Sequence, residues 1–141
     1  SLGATDFAEL TATQLTSLTA GQVGALSTTN LFGLSSTAFG SLGATQIAGL
    51  SASQLTAIAP TQFDAFTTTQ IAALPAAQIG ALSTTVIAAL TTTQVTAFTP
   101  TQIPRLSVTQ VRQLSATNVA AMTPAQVNAF TAIQIQNLPP A

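Results

Sequence analysis

Five side chains in this sequence carry charge: Asp6, Glu9, Asp64, Arg105 and Arg112. Asp6 and Glu9 stand close enough to form a carboxylate pair, the usual equipment for general acid–base chemistry. Such a pair needs a pocket and a partner group, and the sequence offers little to build either. His and Cys are absent, which removes the Ser-His-Asp and Cys-His nucleophile systems. The same absence removes the soft-metal ligands. Two Arg residues and no Lys make no basic patch, so phosphate neutralisation on a nucleic acid is excluded. Arg105 and Arg112, seven apart, read as a solvated face. The chain therefore reads as non-catalytic, with no cofactor, no metal and no nucleic-acid partner.

The remaining polar chemistry is neutral and periodic. Gln occurs every eight residues with few gaps, at Gln14, Gln22, Gln46, Gln54, Gln62, Gln70, Gln78, Gln94, Gln102, Gln110, Gln126 and Gln134. Two apolar columns keep the same step. One runs from Leu2 through Leu74, Leu82 and Leu90 to Leu138, and the other from Phe7 through Ile71, Ile79 and Ile87 to Ile135. With the first column as position eight, residues 3–138 divide into seventeen units without insertion or deletion. Position one is Ser or Thr in thirteen units, position three is Thr in twelve, and position seven is mostly Ala. The consensus is S/T-x-T-Q-I-x-A-L.

An element must now be found that gives this spacing a use. In one continuous helix, eight residues at ~100° each leave ~80° of drift per unit, so the apolar stripe would wind round the helix. A β-solenoid keeps each column on one face, but positions five and eight then point to opposite sides. Ala and Gln are also poor strand residues. This β-solenoid remains the alternative. The best match is an all-α solenoid of very short helices, one per unit. Ser or Thr at position one with Gln at position four is a capping box. The large residues before the cap and at position five have the spacing of a hydrophobic staple. Pro60, Pro100 and Pro124 fall at the first helical position, where the missing N–H is not needed.

Full boxes are expected at Gln14, Gln22, Gln54, Gln70, Gln94, Gln102, Gln110, Gln126 and Gln134, with further side-chain hydrogen bonds to neighbouring units. Asp6 takes the glutamine's place in its unit as an acidic cap. Asn30 and Asn118 substitute for Gln, whereas Ala38 and Val86 should weaken their caps. Pro104, at position six, should distort its unit. Helices of five or six residues cannot stand alone, because nucleation is costly. They must stack, with Ile71, Leu74, Ile79, Leu82, Ile87 and Leu90 in the best-buried part of one continuous spine. Phe66, Phe98 and Phe130 recur thirty-two residues apart, a spacing that four units per superhelical turn would explain and that chance would explain as well.

Units such as Thr67 to Leu74 (TTTQIAAL), Ser83 to Leu90 and Thr91 to Phe98 resemble the octapeptide-repeat segments of very large, secreted, repetitive bacterial surface proteins, described as adhesin-like. The resemblance spans the whole chain and implies an extracellular or cell-surface stalk or fibre. The expectation is one solenoid domain over 1–141, part of a longer array. The chain opens on Ser1-Leu2-Gly3 with no basic n-region; a leader already removed and a longer parent protein are both open expectations. No apolar run reaches the ~20 residues of a membrane span. A net charge of −1 opposes self-association little, so a homo-oligomer or filament formed by self-stacking is expected. The alternative function is an adhesin, ice-binding or glycan-binding face presented by the Thr column, its surface ligand unknown.

Overall fold

The computed structural model describes residues 11–140. Asp6, Glu9 and the start of both apolar columns lie outside the described residues. Within them, units two to seventeen each hold one short helix, and no strand occurs among the described residues. The helices begin at position two. Representative spans are Ala12–Thr16, Ala20–Gly24, Ala44–Ala48, Thr68–Ala73, Thr92–Ala97 and Ala132–Ile135. The protein is thus a solenoid of short helices, as the capping signals predict.

Each helix starts where the sequence places its cap. Thr67, for example, is extended (φ −72°, ψ 160°), and its hydroxyl accepts from the Gln70 N–H. The ends are less usual. No residue has positive φ among those described, glycines included. The helices therefore lack the left-handed closing residue that normally satisfies the last carbonyls. They close with tighter turns instead, such as Leu18 N–H to the Leu15 carbonyl (3.2 Å) and Leu50 N–H to the Ile47 carbonyl (3.1 Å). A carbonyl oxygen has two lone pairs, so these carbonyls can still accept a second bond.

The units wind into a stack. Helix Ala44–Ala48 packs on Ala20–Gly24 and on Thr68–Ala73, which in turn packs on Thr92–Ala97. These partners are three units apart. Hydrogen bonds between turns span 25 residues at one edge (Thr56 Oγ1 to the Ala81 carbonyl, 2.9 Å) and 28–31 at the other (Gln54 Nε2 to Leu26 and Val23). A superhelical turn therefore closes after more than three and fewer than four units. This corrects the four-unit turn suggested by the phenylalanine spacing. Those phenylalanines share a column but are not stacked at thirty-two residues. The rings that meet are Phe39 with Phe66 (centroids 5.3 Å) and Phe63 with Phe66 (4.8 Å).

Small residues at positions six and seven set how closely turns approach. A Cβ at Gly49 would collide with the Ala20 backbone, and one at Gly24 with the Gly49 carbonyl. Elsewhere the same seam carries a polar contact: the Arg112 guanidinium donates twice to the Asn137 Oδ1 (3.0 and 2.6 Å).

Both apolar columns face the interior. Ile71, Ile79 and Ile87 are fully buried, and Leu74, Leu82 and Leu90 nearly so. Each such side chain contributes ~1.5–3 kcal/mol by burial, which is what holds helices too short to persist alone. The spine is not uniform to its end. Val119 and Leu138 are half-buried, and Val127 and Ile135 are exposed, with no later turn over them among the described residues.

The glutamine column as candidate functional site

A five-residue helix leaves nearly all its backbone groups without an internal partner. The first four N–H groups and the last four carbonyls need partners from elsewhere. The glutamine column supplies both kinds at once. Gln110 shows the pattern. Its Oε1 accepts from the Ser107 N–H (2.7 Å), closing the capping box of its own helix. Its Nε2 donates to the Ile79 carbonyl (3.1 Å) and the Leu82 carbonyl (2.7 Å), at the C-terminal end of the helix four units earlier. One amide thus joins the start of one helix to the end of another in the preceding turn.

The same arrangement recurs. Gln46 reaches Leu15 and Leu18, both at 2.7 Å, and Gln54 reaches Val23 and Leu26, both at 2.9 Å. Gln102 reaches Ile71 and Leu74, Gln126 reaches Val95 and Phe98, and Gln134 reaches Ile103 and Leu106. Gln70 donates to Gly40 and Leu42, and Gln94 to Phe63 alone. These amides are buried, at 1–6 % exposure. A buried amide without partners costs several kcal/mol; here the bonds that seal the turn also satisfy the side chain. The direction is uniform: the later turn donates and the earlier turn accepts.

Of the nine glutamines assigned full boxes, eight make both halves: Gln14, Gln22, Gln54, Gln70, Gln94, Gln110, Gln126 and Gln134. Gln102 is the exception. Its Oε1 accepts from the Thr99 N–H (2.7 Å), but the Thr99 hydroxyl pairs with the Thr101 hydroxyl instead. Pro104 is the cause nearby. Without an N–H it cannot continue an α-helix, and the unit closes as a 3-10 turn over Ile103–Arg105. Gln14 and Gln22 make their caps but are exposed, having no earlier turn beneath them among the described residues.

Three residues outside those boxes also serve the column. Gln46 follows Gly43 and Gln62 follows Ala59, neither of which has a capping hydroxyl. Both still accept the backbone N–H (2.8 and 3.2 Å) and donate to the turn below. Asn118 is too short to return to its own cap, yet its Nδ2 reaches the Leu90 carbonyl (2.9 Å). Their place in the column was the available signal. At Ala38 and Val86 the caps are weakened as expected: the Ser35 and Ser83 hydroxyls still accept from the backbone N–H (3.2 and 3.3 Å), but no side-chain oxygen among the described residues accepts from the Ser35 or Ser83 N–H, so half of each box is missing. These units also lack the bond to the turn below.

Gln78 differs from them. Its Oε1 is buried with no hydrogen-bond partner. Position one of its unit is Pro75, which has neither an N–H to donate nor a hydroxyl to cap with. Replacing Pro75 with Thr is expected to supply both. The cap is worth ~1 kcal/mol, and satisfying the orphaned oxygen adds ~1–3 kcal/mol. Releasing proline's constraint on the unfolded chain subtracts ~0.4–1 kcal/mol. Chemical denaturation should show a net gain of ~1–3.5 kcal/mol; a loss would mean that Gln78 is not held by the missing cap.

The other polar candidates do not converge. Asp64, Arg105 and Arg112 are exposed in three separate units. Position-three threonines, among them Thr45, Thr69, Thr93 and Thr109, are exposed at the helix starts and are carried round the stack as the units turn. Among the described residues no group of His, Cys, Asp or Glu gathers as metal ligands. No helix of the described residues is long and apolar enough to cross a membrane.

A family model described as ALTTAQ repeat matches residues 52–92 and, overlapping, 76–108. Within the matched residues, Ala89–Gln94 reads ALTTTQ. Two matches in tandem mark a repeat-containing protein. No curated protein and no solved structure matches the chain.

Proposed function

We propose that this repeat protein is a non-catalytic structural rod, a stalk, spacer or filament segment displayed outside the cell as part of a longer array. The observation that carries the reading is the uniformity of the glutamine contact. From Gln46 to Gln134 it joins each turn to the one before at spacings of 28 to 31 residues. Every unit that carries it does the same mechanical work. A reacting centre would need one unit that differs, with ionisable groups brought together; the charged residues described stand apart. Repeat proteins of this kind gain stability from nearest-neighbour contacts and lengthen without changing cross-section. The cell-surface placement is supported by the likeness to secreted octapeptide-repeat segments.

The test is small-angle scattering on chains with whole turns added or removed. A structural rod keeps a constant cross-section while its longest dimension grows in proportion to the units. A particle that becomes globular as units are added would overturn the reading. Limited proteolysis of intact cells tests the location: an accessible chain supports surface display, and full protection contradicts it. Ice shaping or glycan binding by the parent chain would favour the threonine-face reading instead.

A further inference from the structure

We propose that the solenoid contains an opening joint across units eight to eleven, where the stack parts between Phe66 and Thr67 before any other inner turn loosens. The joint belongs to the solenoid itself and does not depend on where the chain is displayed.

The glutamine column is interrupted in two successive units. Gln78 of unit ten has no anchor at Pro75, and it donates to no carbonyl of the turn below among the described residues. Unit eleven carries Val86, which has nothing to donate. The carbonyls of Ile47, Leu50, Leu55 and Ile58 stand where other units accept a glutamine, as Ile79 and Leu82 do from Gln110. They receive no side-chain amide among the described residues. The flanking units are reduced as well. Gln62 bonds only to Phe32 and Gln94 only to Phe63, where most inner glutamines of the column reach two carbonyls.

Two further observations fall at the same level. Units eight and ten open on Ala59 and Pro75, which have no capping hydroxyl, and their helices Pro60–Phe63 and Ala76–Ile79 are four residues long. Between units eight and eleven lies an open notch of ≈ 270 Å³, lined by Pro60, Thr61, Asp64 and Ala89.

The place of the parting follows from what crosses it. Among the described residues, a break between Phe66 and Thr67 severs only the inter-turn hydrogen bonds of Gln70, Gln94 and Thr56. It leaves the stacked rings of Phe39, Phe63 and Phe66 together on one side. A break between Phe98 and Thr99 would sever those of Gln102, Gln110, Asn118 and Gln126. In a repeat array each unit contacts only its neighbours, so the weakest contact decides where the array divides. The apolar spine runs unbroken through the joint, with Ile71, Ile79 and Ile87 fully buried. The joint is therefore closed at rest and opens as a fluctuation or under load.

Backbone hydrogen exchange at low denaturant, read by NMR on the whole chain, tests the joint. The N–H groups of Leu74, Leu82, Leu106 and Leu114 make the same local bond, to the carbonyl three residues earlier at 3.1–3.2 Å. Differences among them report the packing of turns. Leu74 and Leu82 should exchange roughly ten- to a hundredfold faster than Leu106 and Leu114, the factor expected from a few missing hydrogen bonds. Fraying from the ends predicts the reverse, because Leu74 and Leu82 lie nearer the middle of the chain. Pro75→Thr with Val86→Gln restores both donors and should abolish the difference by slowing Leu74 and Leu82 alone. Equal or slower exchange at Leu74 and Leu82 in the parent would overturn the joint. So would a repaired chain in which all four amides slow alike. The parent measurement decides the case by itself if the double variant fails to fold.

Discussion

Replacing Phe63 with Ala is expected to cost ~3–5 kcal/mol, the range for deleting a buried aromatic ring. Phe63 is 1 % exposed and stacks on Phe66, which also meets Phe39. The three rings come from two units that lie three apart in the chain and adjacent in the stack. The loss therefore combines transfer, cavity and ring-stacking terms, the last worth ~0.5–1.5 kcal/mol. Typical domains have only ~5–15 kcal/mol in total, so the variant should unfold at much lower denaturant. Thr61→Ala, two residues away on the exposed face, is the control and should change stability by less than ~0.5 kcal/mol. Equal effects at both positions would mean that the ring is not in a packed core.

The second large effect is expected at Gln110. Gln110→Glu keeps the shape and the oxygen that accepts from Ser107 but replaces a donor with a carboxylate oxygen. That oxygen would face the Ile79 and Leu82 carbonyls in a site 2 % exposed. An uncompensated buried charge costs ~3–5 kcal/mol. The penalty should depend on pH, and its sign is fixed. Burial and the facing carbonyls favour the neutral acid, so the folded-state pKa of the introduced carboxyl lies above its unfolded value of ~4.3. Below that value the acid is protonated in both states and can donate to one carbonyl, so much of the stability is retained. As pH rises through the folded pKa it is lost. Gln110→Leu, which leaves the Leu82 carbonyl and the Ser107 N–H unpaired and the Ile79 carbonyl with only its bond from the Leu82 N–H, should be destabilising by a similar amount but independent of pH. Denaturation of both variants from acid to neutral pH checks this. A flat profile for the Glu variant would place the side chain in water.

The register of these helices could be read from the sequence because its signals are local. A hydroxyl, a glutamine three residues on and two apolar residues four or five apart all act within one unit. Pro60 and Pro124 at the first helical position, and the distortion at Pro104, followed from the same short-range rules. The second role of the glutamine was not specified in this way. Its acceptors lie 28 and 31 residues earlier, and they come within reach only because a turn closes between three and four units. That closure depends on packing across the core and on close approaches such as Gly49 to Ala20, which an eight-residue pattern does not encode. The phenylalanine period misled for the same reason: it counts positions within a column, not neighbours in the stack. Pro75 acts by a rule just as local. A proline at position one leaves Gln78 without a donor, whatever the tertiary structure.

Buried glutamine amides fasten each turn of the solenoid to the one before. Hydrogen exchange at the glutamine side-chain NH2 groups, resolved by NMR, tests it directly. Gln54, Gln70, Gln94, Gln102, Gln110, Gln126 and Gln134 should exchange slowly, because their Nε2 groups are buried and bonded to the preceding turn. Gln14 and Gln22, capped in the same way but exposed, should exchange close to the rate of a free amide. This division between the two groups is the predicted result. Rapid exchange at every glutamine, inner and outer alike, would contradict the account.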